Sequence, residues 1–200
     1  MPSNKLGILN SIELAKEEER ISKYKAKVIF ESNLLRDKRA GTVSTLLWIH
    51  RFLFEDIYDF AGKIRDVNIS KGNFRFASAM YLKEVLTVVE KMPQKSFGEI
   101  IAKYVEMNIA HPFLEGNGRS MRLWLDHILR EELQVAIDWN KVGKEDYLLA
   151  MERSPVRDTE IKELLNQALT TDVNSREVFV KGLDASYGYE GLNRYHTAEL

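Results

Sequence analysis

The residues best suited to chemistry lie between His111 and Arg122. This stretch contains a histidine, a carboxylate, the glycine-rich turn 116–118 and two arginines, in that order. Apolar residues follow at helical spacing, at positions 123, 124, 125, 128, 129 and 133, so the glycine turn is predicted to open a helix. The free N–H groups at the start of a helix bind anions. The order of residues is therefore typical of a phosphate site with a base beside it.

Each part of the stretch suits a phosphate ligand. Gly116-Asn117-Gly118 lets the backbone approach an anion closely, because glycine has no Cβ. Arg119 and Arg122 are three residues apart and project from one helix face, where two guanidinium groups would hold further phosphates.

Two side chains add the reactive groups. Glu115 would repel a phosphate unless a divalent cation lay between them, and Mg²⁺ is the default choice. His111 is the only histidine nearby in the sequence and is the candidate general base. Each element also has an ordinary explanation, since a Gly-x-Gly is commonly a turn and helical arginines commonly meet solvent. Their ordered combination favours a functional site.

Helices are predicted to position this stretch. Thr42 is expected to cap a helix that ends just before Gly62, with Leu46, Ile49, Leu53, Ile57 and Phe60 on its apolar face. Ser96 and Glu99 fit a capping box for the helix that delivers His111, which Pro112 would end. Further helices are predicted over 11–32, 78–93, 144–153, 158–169 and from 175 toward 191.

Residues 67–76 are predicted to form a β-hairpin instead. Apolar and polar residues alternate there around a Gly72-Asn73 pair. The hairpin either connects two helices or adds a strand to an extended peptide, and the residues favour these roles equally.

The composition indicates a globular protein without a bulk electrostatic partner. The chain has 200 residues, 44% of them hydrophobic and 30% charged, with 29 basic and 30 acidic side chains. This balance argues against a nucleic-acid or membrane partner, and the absence of cysteine excludes disulfides and thiolate metal sites. No signal peptide or membrane-spanning run is recognisable, so a single cytoplasmic domain over residues 1–200 is expected.

The sequence resembles the Fic family. His111, Phe113, Glu115, Gly116, Asn117, Gly118, Arg119 and Arg122 match every defined position of the Fic motif, and the likeness covers roughly residues 40–155. The resemblance implies an all-α, Fic-type helical domain in which the hairpin at 67–76 is the flap that docks a target segment. It is closest to the single-domain bacterial subclass with a C-terminal inhibitory helix.

By this resemblance the activity would be transfer of AMP from ATP to a Ser, Thr or Tyr hydroxyl of a target protein. The resemblance implies that His111 is the base and that Glu115 is the metal ligand. Gly116, Asn117 and Gly118 would form the anion hole, with Arg119 at the β-phosphate and Arg122 at the γ-phosphate. Phe113 would be a core anchor, Lys71 would contact the nucleotide, and the adenine pocket would contain Tyr147, Met151 and Glu152. Many relatives have Asp where this chain has Glu115, which leaves divalent ions other than Mg²⁺ open. Gly118 disfavours the related Doc-type kinases, which usually carry Lys there.

The C-terminal segment resembles the inhibitory motif of this family. Ser186 and Glu190-Gly191 match Ser/Thr-x-x-x-Glu followed by Gly or Asn, in a helix expected over about 182–191. The resemblance implies that Glu190 pairs with Arg122, that Ser186 bonds near the glycine turn, and that Glu190 also aligns water for removal of AMP. Self-modification on Tyr187, Tyr189 or a nearby hydroxyl is expected if the enzyme is active. An ATP-sensing binding module is the alternative reading, and a homo-oligomer remains open.

Overall fold

The computed structural model describes residues 2–72 and 74–200, and most of them are helical. The helices are α1 (Ser11–Glu31), α2 (Val43–Phe54), α3 (Leu82–Lys91), α4 (Phe97–Ala110), α5 (Asn117–Leu133), α6 (Lys144–Arg153), α7 (Thr159–Gln167) and α8 (Arg176–Gly188). The strands are β1 (Ser70–Lys71), β2 (Phe74–Arg75), β3 (Ala136–Ile137) and β4 (Leu169–Thr170), and 3₁₀ turns occupy Ala79–Tyr81, Trp139–Lys141 and Thr197–Glu199. The expected helical fold with a β-hairpin is confirmed.

Helix α5 lies at the centre of the molecule. It packs against α2, α4 and α8, and its side chains Trp124, Leu125, Ile128 and Leu129 are completely buried. Burial of such large apolar side chains stabilises each by about 1.5–3 kcal/mol. Because α5 also begins at Asn117, the core fixes the position of the glycine turn at its start.

Side-chain caps set the starts of α2 and α4, two of the helices that pack on α5. The Thr42 hydroxyl accepts a hydrogen bond from the Thr45 N–H, and Ser96 and Glu99 form the predicted capping box. Two expectations about boundaries are wrong. Helix α2 ends at Phe54, so Ile57 and Phe60 lie in the turns beyond it. Ser78 makes no capping bond and precedes a 3₁₀ turn.

A second strand pair joins two segments that sequence patterns did not identify as strands. β3 and β4 are antiparallel, with Ala136 opposite Thr170 and Ile137 opposite Leu169. The helix expected to reach Leu169 therefore ends at Gln167. Two-residue strands are too short to show an alternating pattern, and their partners are distant in sequence.

The predicted hairpin is present, and its strands are short. β1 and β2 are antiparallel, with Ser70 opposite Arg75 and Lys71 opposite Phe74. Gly72 adopts a positive φ of 57°, which a tight turn requires. Asn73, the other residue of the predicted turn pair, lies outside the described residues.

The C-terminal helix ends before the boundary expected at residue 191. α8 ends at Gly188, and Glu190 and Gly191 lie in the turn that follows. Gly191 has a φ of 78°, a left-handed conformation that continues no helix. Within residues 2–72 and 74–200, no helix combines the length and apolar character needed to cross a membrane.

Candidate active site

His111 occupies the end of α4 in an uncommon backbone conformation. Its φ of 47° and ψ of 64° are left-handed, which non-glycine residues rarely adopt. The Nδ1 atom lies 3.1 Å from the Asn108 carbonyl oxygen. Because a carbonyl only accepts, Nδ1 carries the proton and Nε2 keeps its lone pair. Burial, together with the nearby cations Arg65 and Lys71, lowers the pKa of His111 to about 4, so the ring is neutral at pH 7.

The Phe76 ring of the hairpin covers His111. The two rings stack with centroids 3.7 Å apart and planes 15° apart. This contact fixes the plane of the imidazole and joins the hairpin directly to the candidate base.

A second histidine lies next to the motif in the structure, although it is distant from His111 in sequence. His50 of α2 is fully buried and stacks on Phe113 with centroids 3.7 Å apart. Its Nδ1 accepts from the Gly62 N–H at 2.8 Å, so its Nε2–H donates to the Glu115 carbonyl at 2.9 Å. Burial lowers the pKa of His50 to about 3, and the ring holds the Glu115 backbone as a neutral group.

Side chains from elsewhere in the fold lie so close to Gly116 and Gly118 that a Cβ at either position would collide with them. Gly116 has a φ of 76°, and a Cβ there would meet the Phe54 ring at 2.4 Å. A Cβ on Gly118 would meet Glu190 Oε1 at 2.6 Å. The Asn117 amide bonds the Phe113 backbone N–H and C=O, at 2.9 and 2.7 Å, so the side chain shapes the loop. The side chain of Asn117 is therefore engaged within the loop, which leaves the first N–H groups of α5 as the candidate donors to an anion.

The Glu190 carboxylate lies over this turn and contacts both arginines. Oε1 accepts from Arg122 Nη2 at 2.8 Å, and Oε2 lies 2.7 Å from Arg119 Nε. The Glu190 side chain is 28% exposed, whereas both arginines are buried. The two guanidinium groups lower the pKa of Glu190 against the opposing effect of burial. An internal carboxylate thus occupies the cationic face of the turn.

Ser186 of α8 accepts two hydrogen bonds from Arg122. Its Oγ accepts from Arg122 Nε at 2.6 Å and its carbonyl oxygen accepts from Arg122 Nη2 at 2.9 Å. The expected neighbourhood of Ser186, Glu190 and Arg122 is therefore present in the structure.

Helix α1 contributes a further carboxylate that sequence reasoning missed. Glu18 Oε1 lies 2.6 Å from Arg119 Nη1, and Glu18 also accepts a hydrogen bond from the Tyr58 hydroxyl. Glu115 Oε1 lies 3.1 Å from Arg119 Nη2. Arg119 is thus neutralised by carboxylates from three parts of the chain, which raise its pKa above the ordinary value despite burial.

Glu115 has one carboxylate oxygen, Oε2, to which the described residues make no hydrogen bond or ion pair. Among the described residues its hydrogen bonds and ion pairs all use Oε1, which accepts from the Gly116 N–H at 2.9 Å and faces Arg119. No cluster of three metal-ligating side chains occurs in residues 2–72 and 74–200. Mg²⁺ at phosphates takes one or two carboxylates plus phosphate oxygens and water, so one carboxylate beside the anion turn fits such an ion.

A cleft of about 920 Å³ connects these groups. It is lined by His111, Glu115 and the glycine turn on one side and by the expected adenine residues Tyr147, Met151 and Glu152 on the other. Lys71 and Phe74 of the hairpin also line it. Tyr189 stacks on Tyr147 with ring centroids 4.7 Å apart, forming an aromatic wall.

Comparison with known proteins shows that the part of the chain that contains this site is similar to a known family. The sequence profile described as "Fic/DOC family" matches residues 41–129, which include α2, the hairpin, α4 and most of α5. Residues 41–129 are therefore similar to the Fic/DOC family.

Curated proteins are similar to this chain over longer stretches. It is 26% identical over 185 residues to "Probable protein adenylyltransferase Fic" of Salmonella typhimurium, covering 87% of this chain and 90% of the relative. It is 30% identical over 144 residues to "Protein adenylyltransferase VbhT" of Bartonella schoenbuchensis, covering 66% of this chain but 30% of that protein. The BepC crystal structure "with bound AMPPNP" from Bartonella tribocorum has the same fold, with a TM-score of 0.69 at 20% identity over 84% of this chain and 91% of that one.

Several residues of this candidate site could not be identified from the sequence. Phe76 was part of an alternating pattern, which predicts a strand and does not predict stacking on a distant ring. His50 and Glu18 lie on helices predicted from apolar spacing, where a single polar side chain has no distinctive pattern. Both reach the site through tertiary packing, since α2 packs on α5 and α1 packs on α2 and α8.

Proposed function

We propose that this chain is a protein adenylyltransferase, which transfers AMP from ATP to a Ser, Thr or Tyr hydroxyl of another protein. The observation that carries the proposal is the assembly of a neutral His111, the Glu115 carboxylate and the glycine turn around one cleft. Relatives named as protein adenylyltransferases support the same reaction.

His111 would act as the base. The Nδ1–H bond to Asn108 leaves the Nε2 lone pair free to take the proton of the target hydroxyl. The hydroxyl oxygen then forms a bond to the α-phosphorus of ATP while the bond from that phosphorus to the bridging oxygen breaks. Pyrophosphate leaves with the electron pair, and AMP remains on the target.

The start of α5 would hold the phosphates. Its first N–H groups and the guanidinium groups of Arg119 and Arg122 supply the donors and the positive charge that the leaving pyrophosphate needs. Glu115 would hold a divalent cation, Mg²⁺ by default, whose charge screens the carboxylate from the phosphates. Lys71, Tyr147, Met151 and Glu152 would complete the nucleotide site, and their place along the cleft supports this role.

The hairpin would present the target. Its strands are exposed, and an extended segment added along an edge would lie beside Phe76 and hence beside His111. Backbone pairing of this kind accepts many sequences, so the identity of the target would depend on surfaces elsewhere.

Glu190 would inhibit the transfer. Its contacts with Arg119 and Arg122 occupy the cations that a γ-phosphate needs, so ATP would bind weakly or in an unproductive pose. Tyr187 and Tyr189 are buried, with 1% and 6% of their surfaces exposed, so self-modification there would require displacement of α8 and the turn after it. Displacement would also remove Glu190 from the site.

The same carboxylate would serve the reverse reaction. Glu190 would orient a water toward the phosphorus of an AMP-modified side chain, and its position close to Gly118 supports this role. Incubation of modified protein with wild-type enzyme and different divalent ions would release AMP if this second activity exists. The Glu190→Gly variant would release none.

Labelled ATP added to a cell lysate tests the transfer. Glu190→Gly should label protein bands more strongly than the wild type, and the double variant with His111→Ala should label none while still binding ATP. An ATP-sensing module, the alternative function, predicts nucleotide binding by all three proteins and labelling by none. That outcome would replace the transferase proposal.

A further inference from the structure

Arg65 is a buried cation held by backbone carbonyls. Only 4% of its surface is exposed, and no ion pair involves it among residues 2–72 and 74–200. Its guanidinium instead donates four hydrogen bonds to main-chain oxygens. Burying a charge without a carboxylate partner is costly, so the contacts that compensate for it indicate what the residue holds together.

The four acceptors come from two places that the transfer reaction must align. Nε donates to the His111 carbonyl at 2.8 Å, and Nη2 donates to the Ala110 carbonyl at 3.1 Å, both at the end of α4. Nη1 and Nη2 donate to Val67 and Ala77, each at 2.6 Å. Val67 precedes β1 and Ala77 follows β2, so one planar group joins both stems of the hairpin to the residue that carries the base.

The end of α4 favours such a cation. Carbonyl oxygens in the last turn of a helix lack intrahelical donors and carry the negative end of the helix dipole. The backbone strengthens the junction, because the Arg65 N–H donates to the Pro112 carbonyl at 2.9 Å and the Ala77 N–H donates to the Ile109 carbonyl at 3.0 Å. These bonds hold His111 in its left-handed conformation.

We infer that Arg65 is a positioning residue of the transfer reaction, joining the hairpin that presents the target to the end of the helix that presents His111. The inference rests on the proposed adenylyl transfer. Arg65 is not among the residues that line the cleft, so it would touch neither ATP nor the target hydroxyl. It sets the distance between the docked hydroxyl and the base, a geometry on which reaction rates depend steeply.

The same guanidinium acts on the imidazole through its charge. The charged groups acting on His111 are Arg65 and Lys71, which lower its pKa, and Glu190, which raises it. Removal of the Arg65 charge should therefore shift the titration of His111 upward, toward the ordinary value of about 6.5.

Two substitutions separate charge from geometry. Arg65→Lys keeps the positive charge but cannot reach both stems and the helix end with one ammonium group. Arg65→Gln removes the charge as well. Arg130→Gln is the matched control, because Arg130 also donates from a partly buried guanidinium to a backbone carbonyl, that of Val173, away from the hairpin.

The first measurement is an NMR titration of labelled histidines in the full chain, with His111 assigned from the His111→Ala variant. We expect Arg65→Gln to raise the pKa of His111, and Arg65→Lys and Arg130→Gln to leave it low. This readout does not depend on AMP transfer. An unchanged titration in folded Arg65→Gln would overturn the electrostatic part of the inference.

The second measurement is the rate of labelling of a lysate protein, made in the Glu190→Gly background. Both Arg65 variants should lose roughly tenfold to a hundredfold in kcat, with the KM for ATP unchanged. Circular dichroism checks folding, and Arg65→Lys carries the test if Arg65→Gln does not fold. Rates equal to those of the Arg130→Gln control would overturn the inference. Absence of labelling in the Glu190→Gly parent would instead overturn the proposed transfer, while the titration would still report on Arg65.

Discussion

Glu190 and Arg119 form an ion pair across the start of α5, with Glu190 Oε2 2.7 Å from Arg119 Nε. The sequence suggested a pairing of Glu190 with Arg122, and the structure adds Arg119 to it. One carboxylate therefore contacts both arginines of the motif. A ligand that needs either cation must compete with the same side chain.

Removing the charge of Glu190 should strengthen ATP binding. In Glu190→Gln the side chain keeps its size but no longer attracts Arg119 and Arg122, so both become available to phosphate. We expect the Kd for ATP, measured by isothermal titration calorimetry, to fall by roughly tenfold, or about 1.4 kcal/mol. Glu177→Gln is the control, since Glu177 pairs with exposed Lys181 on the same helix. Equal Kd values for both variants would contradict competition by Glu190.

A methyl group at Gly118 should weaken nucleotide binding. The added Cβ would lie 2.6 Å from Glu190 Oε1 and 2.8 Å from Arg122 Nη1, both at the ends of side chains that can move. The fold should therefore survive Gly118→Ala, while the anion turn loses the open backbone that a phosphate approaches. Gly98→Ala in α4 is the control, because a Cβ there meets no atom within 4 Å. If both alanine variants bind ATP as the wild type does, the turn is not the phosphate site.

The rate of AMP transfer should persist into acid. The pKa of His111 is lowered from 6.5 to about 4, so the neutral base is fully present above about pH 5 and is lost as the pH falls through 4. We expect the acid limb of the pH–rate profile of Glu190→Gly to lie near the lower value. An acid limb centred near 6.5 would show that the imidazole is exposed to solvent in the working enzyme.

Burial of His50 should make the fold less stable in acid. Its pKa is about 3 in the folded chain against 6.5 in the unfolded chain, so below pH 6.5 the unfolded chain binds one more proton. The free energy of unfolding therefore falls with pH by up to about 1.4 kcal/mol per unit from this group alone. His50→Gln keeps a donor and an acceptor but does not titrate.

Urea unfolding of both proteins between pH 7 and 4.5 measures this difference. The wild type should lose stability more steeply than His50→Gln as the pH falls. The comparison isolates His50, because Asp126, whose pKa burial raises to about 6, acts in the opposite direction in both proteins. Parallel curves would contradict a neutral, buried His50.

Local patterns predicted the elements well where the signal lies within a few residues. The capping box at Ser96, the cap at Thr42 and the hairpin around Gly72 all depend on neighbours in sequence, and all are present. Helix ends were less accurate. Ile57 continues the apolar spacing of α2 because it packs into the core, although the chain has already left the helix.

The residues of the site also differ in whether neighbours in sequence were enough to predict them. The order of residues from His111 to Arg122 determined the resemblance to the Fic family and the candidates for base, anion turn and metal ligand, because one turn and the start of one helix hold all of them. The segment around Glu190 indicated an internal competitor, but its contact with Arg119 was not predictable.

Tertiary structure alone decided which side chains support these groups. Glu18, His50, Arg65 and Phe76 come from four separate segments, and each meets the motif only because α1, α2 and the hairpin pack around α4 and α5. The sequence around a polar or aromatic residue on a predicted helix or strand does not indicate which distant residue it will contact. Its role follows from burial, where every charge and polar group must find a partner within the fold.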